Sequence, residues 1–213
     1  MTFKWVYHQL LSAYGQQHWW PGDSPFEIMA GAILTQNTAW PNVEKAITNL
    51  KQQQALNPQT ILHTSQTKLA EWIRPSGYFN IKAERLKHYC DWYITQGEYP
   101  VLRQWHTEKL RDALLSVKGI GPETADDILL YAFERPVFVI DAYTRRIFSR
   151  LGLVNDIEKY EELRHLFESA LKHEDDKTAL LNEFHALIVW HGKQHCKNKP
   201  SCEGCVLRQE CDF

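Results

Sequence analysis

Hydrophobic and polar positions recur along most of the chain with the period of about 3.6 residues that is typical of an amphipathic helix. Asn57, Ser65 and Thr107 are predicted N-caps of shorter helices, because their side chains can accept hydrogen bonds from the first backbone N–H groups. The period predicts longer helices over the segments Phe3–Tyr14, Pro25–Thr35, Asn42–Gln54, Ile81–Gln96, Ile157–Leu171 and Lys177–Trp190.

Only one segment of the sequence suits a β-strand. Val137–Ile140 is a run of four apolar residues, which is the length of a short strand, but no second candidate strand is present to pair with it. We therefore predict an all-α fold. Because it follows Pro136, the same segment is also suited to connect two groups of helices.

Composition and charge indicate a globular protein that is not uniformly basic. Hydrophobic residues make up 44% of the 213 residues, enough to bury the core of one large domain or two small ones. No run approaches the roughly 18 apolar residues of a membrane-spanning helix, and the N-terminus lacks the layout of a signal peptide. We therefore expect a cytoplasmic protein without membrane attachment. The formal net charge of −2 still allows a local basic groove.

Four of the five cysteines lie close together near the C-terminus, with five, two and five residues between them. Disulfides are not expected in the cytoplasm, so this density indicates a metal site. Zinc sites usually combine two separate Cys-x2-Cys elements, whereas one such element flanked by lone cysteines favours a [4Fe–4S] cluster. The candidate ligands are Cys196, Cys202, Cys205 and Cys211. Cys90 stands alone and is expected in the core.

Basic residues surround the four cysteines. One interpretation is ordinary surface charge beside negative thiolates. We favour the other, a basic loop that contacts DNA phosphates, because phosphate contacts supply most of the sequence-independent affinity for DNA. These residues are Lys193, Lys197, Lys199 and Arg208.

A tight turn, Gly119-Ile120-Gly121, separates two short helical segments within 110–134. Apolar stripes on both segments are expected to pack together, with Ile120 inserted between them. The glycines permit positive φ and the close approach of another backbone. Backbone N–H groups exposed at such a turn form an anion site together with the N-terminus of the helix that begins near Thr124.

Asp141 follows Gly121 by 20 residues, at the end of the apolar run. A helix–hairpin–helix followed by a Gly/Pro-rich stretch and an Asp resembles the signature of the endonuclease III-like DNA glycosylase superfamily. The four-cysteine loop resembles the iron–sulfur loop of that superfamily, with a first interval one residue shorter. The resemblance covers nearly the whole chain.

This resemblance implies a fold, a cofactor and a partner. It places a central helical domain at 22–134 and a second helical domain, built from 1–21 plus 135–213, on the two sides of a DNA-binding cleft. It implies a [4Fe–4S] cluster in the second domain. The expected partner is double-stranded DNA that contains damaged bases, and the protein is expected to be a monomer in the bacterial cytoplasm, associated with the nucleoid.

Other segments resemble one branch, the 3-methyladenine DNA glycosylase III type, whose members can lack the cluster. These segments are Trp19-Trp20-Pro21, 33–38, 74–78 and His191-Gly192-Lys193. The resemblance places Gln36 in the space that a flipped base vacates, with a loop or capping amide as its alternative role. The implied pocket and DNA-contact residues are Trp19, Trp20, Gln36, Asn37, Trp40, Lys118, Gly119, Gly121, Glu123 and Lys193.

Glu123 stands where bifunctional members of the superfamily have a Lys, whose amine attacks the sugar. A carboxylate cannot form that Schiff base, so the resemblance implies a monofunctional enzyme. Lys118 lies five residues earlier and is better suited to a phosphate contact. Asp141, when ionised, would stabilise the oxocarbenium-like sugar and orient or deprotonate the attacking water. It is also suited to cap the helix that begins near Ala142, and the two roles are compatible.

A base that is alkylated on a ring nitrogen is cationic, so it leaves readily and stacks well on aromatic rings. Trp19, Trp20 and Trp40 are candidates for such a stacking pocket, with core packing as the alternative for each. Lys193 is expected to reach the same pocket. The predicted function is therefore removal of alkylated purines such as 3-methyladenine.

Two alternatives to this function stay open at the level of sequence. One is a glycosylase with lyase activity on oxidised pyrimidines, which would use another Lys. The other is a non-catalytic iron–sulfur protein that binds DNA. Asp141 argues against the second alternative, since a protein that only binds DNA needs no carboxylate at that position.

Overall fold

The computed structural model describes residues 1–19, 22–171 and 176–213, and in these ranges its regular structure is helical with no β-strand. Among the described residues, no helix has the length and apolar character needed to cross a bilayer. The helices are α1 Phe3–Tyr14, α2 Pro25–Thr35, α3 Trp40–Gln52, α4 Pro58–His63, α5 Gln66–Trp72, α6 Phe79–Thr95, α7 Glu98–Leu102, α8 Thr107–Leu115, α9 Pro122–Asp127, α10 Ala142–Arg150, α11 Tyr160–Ala170 and α12 Lys177–Gln194. A π-helical turn, Ile128–Ala132, continues α9, and short 3₁₀ turns lie at Arg74–Ser76 and Arg208–Glu210.

The first two helices begin and end where the sequence predicts, because local signals define their ends. Thr2 caps α1 by accepting a hydrogen bond from the Trp5 N–H at 3.2 Å. Ser24 caps α2 through the Glu27 N–H at 3.2 Å, with Pro25 in the first turn, a position where proline lacks no needed donor. Local side-chain chemistry therefore accounts for these helices.

Two of the three predicted N-caps are confirmed. The Asn57 side chain accepts from the Thr60 N–H at 2.8 Å, and the Ser65 hydroxyl accepts from the Lys68 N–H at 3.3 Å. The prediction for Thr107 is wrong. His106 occupies the N-cap position with an extended backbone, so Thr107 is the first helical residue of α8.

Helices α11 and α12 differ from their predicted bounds. The predicted start of α11 at Ile157 is wrong, because that side chain is exposed and the helix begins at Tyr160. The Glu162 carboxylate defines that start, because it accepts a hydrogen bond from the Lys159 backbone N–H at 3.1 Å. Helix α12 continues four residues beyond the predicted end at Trp190, to Gln194, and thereby leads directly into the cysteine-rich loop.

The candidate strand Val137–Ile140 is a buried loop and not a strand. Side chains satisfy backbone donors that a sheet would otherwise pair. The Phe138 N–H donates to Glu168 Oε1 at 3.0 Å, and the Ile140 N–H donates to the Tyr160 hydroxyl at 3.3 Å. Buried backbone N–H groups need such partners, and here α11 supplies them.

The chain divides into two compact units, one formed by Met1–Trp19 with Arg135–Phe213 and the other by Trp20–Glu134. The core of the first unit is a cluster of phenylalanine rings, each of them buried. Ring centroids in this cluster lie 4.3 to 6.3 Å apart, the separation at which aromatic pairs attract. The cluster, called the phenylalanine core below, consists of Phe3, Phe138, Phe148, Phe167 and Phe184.

In the first unit, α10 and α12 approach closely at Gly192. A Cβ atom at this position would lie 2.3 Å from Cδ1 and 2.9 Å from Cγ of Tyr143. Tyr143 lies on α10 and Gly192 on α12, and the two helices pack against each other at this point. Only glycine fits here, because the ring of Tyr143 lies directly over the α12 backbone.

In the second unit, α2 is buried on nearly all sides and packs against α3, α6 and the π-helical turn. The buried ammonium group of Lys82 on α6 donates to the Leu34 carbonyl at 2.8 Å and to the Ser76 carbonyl at 2.6 Å. Burial, and then the charge of Arg85, lower the pKa of Lys82 to about 8. Cys90 is buried as predicted, and burial raises the pKa of its thiol to about 12.

The Gly192 contact predicts a loss of stability in the Gly192→Ala variant. We expect the free energy of unfolding to fall by about 1–3 kcal/mol, because the added methyl group forces the Tyr143 ring and the helix apart. Chemical denaturation measures this change. The control is Gly31→Ala in α2, where the nearest atom to the added Cβ lies 3.5 Å away. That variant should be neutral or slightly stabilising, and equal destabilisation of both would contradict the packing argument.

Candidate active site

Asp141 follows the buried loop directly and caps α10, as the sequence predicts. Its Oδ1 atom accepts hydrogen bonds from the Thr144 N–H at 2.7 Å and from the Thr144 hydroxyl at 2.8 Å. The Asp141 side chain is 13% exposed. One carboxylate oxygen is therefore fixed by the helix start, and the other is available for different contacts.

An imidazole on α12 faces the second oxygen of Asp141. Nε2 of the buried His185 lies 3.8 Å from Oδ2, and the indole ring of Trp19 stacks on the imidazole with a centroid distance of 5.9 Å and an angle of 18°. Burial by itself raises the pKa of the Asp141 carboxyl. His185 and the two Thr144 donors outweigh that effect and lower the pKa below its ordinary value. Asp141 is therefore an anion at neutral pH.

Sequence reasoning missed His185, although it found both Asp141 and Trp19. The only signal in the sequence was the position of His185 on the apolar side of a helix, next to Phe184. Such a position fits a buried structural histidine equally well. The contact with Asp141 depends on packing between elements more than 40 residues apart in the chain.

The hairpin glycines have different conformations. Gly119 has a positive φ of 94°, and a Cβ atom there would lie 2.4 Å from Cγ of Arg85. Gly121 has φ −95° and ψ 176°, so it does not use the positive φ that glycine permits. It starts α9 in an extended conformation, with no atom within 4 Å of the space where a side chain would begin. Ile120 is buried, as predicted.

A buried ion pair holds the two helices of the hairpin together. Arg111 on α8 donates through Nε and Nη2 to the two carboxylate oxygens of Asp126 on α9, at 2.7 and 3.1 Å. Both side chains are buried. Two parallel charge-assisted hydrogen bonds fix the relative orientation of the helices as well as their separation, so the pair sets the shape of the turn between them.

Gln36 connects the end of α2 to the hairpin. Its Nε2 atom donates to the Gly119 carbonyl at 3.1 Å and to Oγ1 of Thr124 at 2.9 Å, and its Oε1 atom accepts from Arg85. Asn37 follows with a positive φ of 54° and is exposed. The role of Gln36 in a vacated base position stays a prediction, and it would require the amide to leave these partners.

The other predicted pocket and DNA residues lie in different surroundings. Lys118 is exposed and pairs with Glu84 at 2.6 Å, a contact that lowers the pKa of Glu84. Glu123 is exposed in the first turn of α9. Trp40 packs its ring over Gly31, and Lys193 is exposed in the last turn of α12. Trp20 lies outside the described residues.

The four C-terminal cysteines line one pocket, together with Arg150 and His191. Within the described residues, no three His, Cys, Asp or Glu side chains form a group that could hold a metal ion. A single zinc ion would need all four sulfur atoms at about 2.3 Å from the metal. In a [4Fe–4S] cluster each thiolate binds a different iron, so the sulfur atoms lie farther apart. Four thiols around one pocket are the donor set that a [4Fe–4S] cluster requires.

Arginine and histidine side chains hold the loop around this pocket. Arg150 on α10 donates to Cys196 Sγ at 3.2 Å, to the Lys197 carbonyl at 2.8 Å and to the Asn198 carbonyl at 3.1 Å. His191 contacts Cys205 Sγ at 3.7 Å through Nε2 and the Tyr14 hydroxyl at 2.8 Å through Nδ1. The loop is thus attached to α10 and α12 of the first unit.

The different surroundings of the two hairpin glycines predict that substitution by alanine destabilises the protein at Gly119 but not at Gly121. Gly119→Ala should lower the free energy of unfolding by about 1–2 kcal/mol, because a residue with a Cβ atom is strained at this positive φ and displaces Arg85. Gly121→Ala should change it by less than about 0.5 kcal/mol, since the methyl group meets no neighbour. Urea denaturation of the two variants tests the difference, and equal losses would refute the distinction.

Comparison with known proteins places the chain in a family. The profile of the HhH-GPD superfamily base excision DNA repair proteins matches residues 30–173. The DNA repair glycosylase candidate MJ1434 of Methanocaldococcus jannaschii is 45% identical over 215 aligned positions, which cover 99% of this chain and 96% of that protein. Endonuclease III of Sulfolobus acidocaldarius is 32% identical over 88% of this chain and 82% of its own length.

Solved structures support the same assignment. The 3-methyladenine DNA glycosylase MagIII of H. pylori, bound to 1,N6-ethenoadenine, superposes with a TM-score of 0.81 and 33% identity, over 91% of this chain and 98% of MagIII. An endonuclease III–DNA complex superposes with a TM-score of 0.84 over 99% of this chain and 95% of that one; at 22% identity it shows the shared fold alone. The chain therefore belongs to the HhH-GPD superfamily of base excision DNA repair proteins and is an endonuclease III-like DNA glycosylase.

Proposed function

We propose that this glycosylase is monofunctional and removes alkylated purines, such as 3-methyladenine, from double-stranded DNA. The observation that carries the proposal is the ionised, largely buried carboxylate of Asp141 at the start of α10. Support for the substrate class comes from the 33% identity to MagIII, a 3-methyladenine DNA glycosylase.

In the proposed reaction, Asp141 stabilises positive charge that develops on the sugar. A glycosylase first extrudes the damaged nucleotide from the stack, at a cost of a few kcal/mol that is smallest for a poorly paired lesion. As the glycosidic bond breaks, the sugar acquires oxocarbenium character. Oδ1 is occupied by Thr144, so Oδ2 is the atom that faces the sugar or its attacking water. A fixed anion needs no reorganisation at that moment.

The base itself needs little assistance when it is alkylated on a ring nitrogen. Such a base is a cation before the bond breaks, so it departs as a neutral molecule without a general acid. A cationic base also binds the faces of electron-rich rings. Trp19 is the described candidate for this contact, because its indole lies on the His185 ring beside Asp141. We also propose that Trp20, Trp40 and Lys193 belong to the pocket that binds the base.

Glu123 supports the monofunctional assignment. Its carboxylate belongs to the first turn of α9, where a negative charge is favoured by the helix dipole. It has no amine to form a Schiff base with the sugar, so strand cleavage by that route is closed. The product is then an abasic site in an intact strand.

We propose that the hairpin binds a DNA phosphate. The N–H groups of Gly119 and Gly121 and the start of α9 form the anion site, whereas the Ile120 N–H donates to the Val117 carbonyl at 3.0 Å. The open space beside Gly121 lets a phosphate approach the backbone. Lys118 would exchange its contact with Glu84 for a phosphate oxygen. Gln36 contacts the hairpin through the Gly119 carbonyl, and Asn37 follows it in the chain. We propose both residues as DNA contacts.

We also propose that Cys196, Cys202, Cys205 and Cys211 hold a [4Fe–4S] cluster. When bound, the cluster supplies a rigid centre that orders the loop, since four thiolates are then tied to one group. Arg150 and His191 already approach two of the sulfurs. Lys197 and Lys199 project from this loop as exposed charges and are proposed contacts to DNA phosphates.

The central test is release of free 3-methyladenine from an alkylated duplex. Wild-type protein should release it, and Asp141→Asn should be slower by at least about 100-fold, because the fixed anion is lost. Single-turnover kinetics with chromatographic detection of the base measure the rate. The control is Asp156→Asn, at an exposed position in the same unit, which should match wild type. Equal release by wild type and Asp141→Asn would refute the mechanism.

The second candidate function is a glycosylase with lyase activity on oxidised pyrimidines, which the 32% identity to an endonuclease III favours. Defined lesion duplexes, assayed with and without alkali, separate the two. We expect strand breaks only after alkali treatment and no adduct on borohydride reduction, since Glu123 replaces the amine. A trapped protein–DNA adduct would establish the lyase and overturn the monofunctional assignment.

The cluster predicts the iron content of the purified protein. Wild type should carry about four irons and four sulfides per chain with broad visible absorption, and Cys202→Ser should lose most of both. Cys90→Ala is the matched control, because Cys90 is buried in the second unit and should leave the iron content unchanged. One zinc per chain in wild type, with no sulfide, would contradict the cluster assignment.

A further inference from the structure

The imidazole of His185 faces the catalytic carboxylate, yet the proposed reaction does not use it. Nε2 lies 3.8 Å from Oδ2 of Asp141, while both Thr144 donors contact Oδ1. The His185 side chain is 5% exposed. The imidazole thus belongs to the packed interior, and its approach to the carboxylate is built into the first unit.

Neighbouring rings restrict the orientation of this imidazole. Trp19 stacks on one face at 5.9 Å, and Phe138 meets the ring edge-on at 6.4 Å and 81°. The preceding residue in α12, Phe184, belongs to the phenylalanine core. A ring held on its face, at its edge and through its own helix cannot turn away from Asp141 without disturbing the core.

The proton on the imidazole follows from this geometry. A nitrogen lone pair directed at a carboxylate would repel it, so Nε2 must carry the hydrogen that faces Oδ2. The 3.8 Å separation is longer than a hydrogen bond but short enough for a strong charge–dipole or charge–charge attraction in a buried site.

We infer that His185 is a positioning residue for the glycosylase reaction: it holds Oδ2 of Asp141 in one orientation and keeps the carboxylate ionised within a buried site. This inference rests on the catalytic role proposed for Asp141. Among the described groups that face the carboxylate, His185 from α12 is titratable, and Thr144 from α10 supplies uncharged donors. Thr144 on α10 therefore holds Oδ1 through two hydrogen bonds, and His185 on α12 acts on Oδ2.

The experiment compares His185→Leu, which removes the donor, with His185→Gln, which keeps an amide donor at that position. His165→Leu is the control, because it removes an exposed imidazole from the same unit. Two readouts are used. The first is a ¹³C NMR pH titration of the Asp141 carboxyl without DNA, identified by its loss in Asp141→Asn. The second is the single-turnover rate of 3-methyladenine release as a function of pH.

We expect the Asp141 carboxyl to titrate at higher pH in His185→Leu than in wild type, with His185→Gln closer to wild type and His165→Leu unchanged. The acid limb of the rate profile should move in the same direction. Since one pKa unit corresponds to a tenfold change in an equilibrium constant, we expect the excision rate of His185→Leu at mildly acidic pH to fall at least about tenfold. The Kd for the lesion duplex should stay within about twofold.

The outcomes separate this inference from the proposed function. An unchanged Asp141 titration in a folded His185→Leu protein would overturn the inference, whatever the enzyme does to DNA. If Asp141→Asn is inactive while both His185 variants match wild type in rate and pH profile, the catalytic role of Asp141 stands and the positioning role fails. If wild type releases no alkylated base, the proposed function fails, and the NMR titration still decides whether His185 sets the state of Asp141.

Discussion

The phenylalanine core is the interaction on which the candidate active site depends. Phe138 lies three residues before Asp141, and Phe184 immediately precedes His185. Both rings contact Phe167 within the same buried cluster, at 4.3 and 6.3 Å. Because aromatic pairs in a close-packed core have few alternative arrangements, the core fixes the end of the buried loop and the middle of α12 together. The carboxylate and the imidazole face each other as a consequence.

Burial of the Asp141 carboxylate disfavours its charged form, and neighbouring hydrogen-bond donors offset this effect. A carboxylate removed from water favours its neutral form, whereas stabilisation of an oxocarbenium-like sugar requires the anion. The helix start offers two Thr144 donors to Oδ1, and α12 offers an imidazole to Oδ2. These contacts offset the cost of burial, so the carboxylate can be both shielded from solvent and charged. A site of this kind is costly to build by chance, which supports a catalytic role for Asp141.

The sequence predicted those features that local chemistry determines, and missed those that depend on distant contacts. The period of apolar positions predicted the bounds of α1 and α2, and the N-cap role of Asp141 followed from the helix after it. The Arg111–Asp126 pair, the hairpin contacts of Gln36 and the approach of His185 to Asp141 join residues that are far apart in the chain. The apolar run 137–140 suits a strand by composition, but the sequence offers it no partner strand. In the structure it is a buried loop whose Phe138 and Ile140 N–H groups donate to side chains of α11.

The hairpin, Asp141 and the cysteine loop each have a separate proposed role, and none of these roles depends on the identity of the damaged base. A hairpin that binds phosphate reads no base, and a fixed carboxylate stabilises any oxocarbenium-like sugar. The basic cysteine loop, which the proposed cluster would order, adds positive charge without reading the lesion. Selection of the damaged base must therefore come from the rings and cations around the extruded base. Since a cationic purine leaves without an acid, the proposed pocket of Trp19 beside an anionic Asp141 suits the proposed removal of alkylated purines. Neutral oxidised pyrimidines would need a proton donor or an amine nucleophile, and Glu123 occupies the position where the amine would stand.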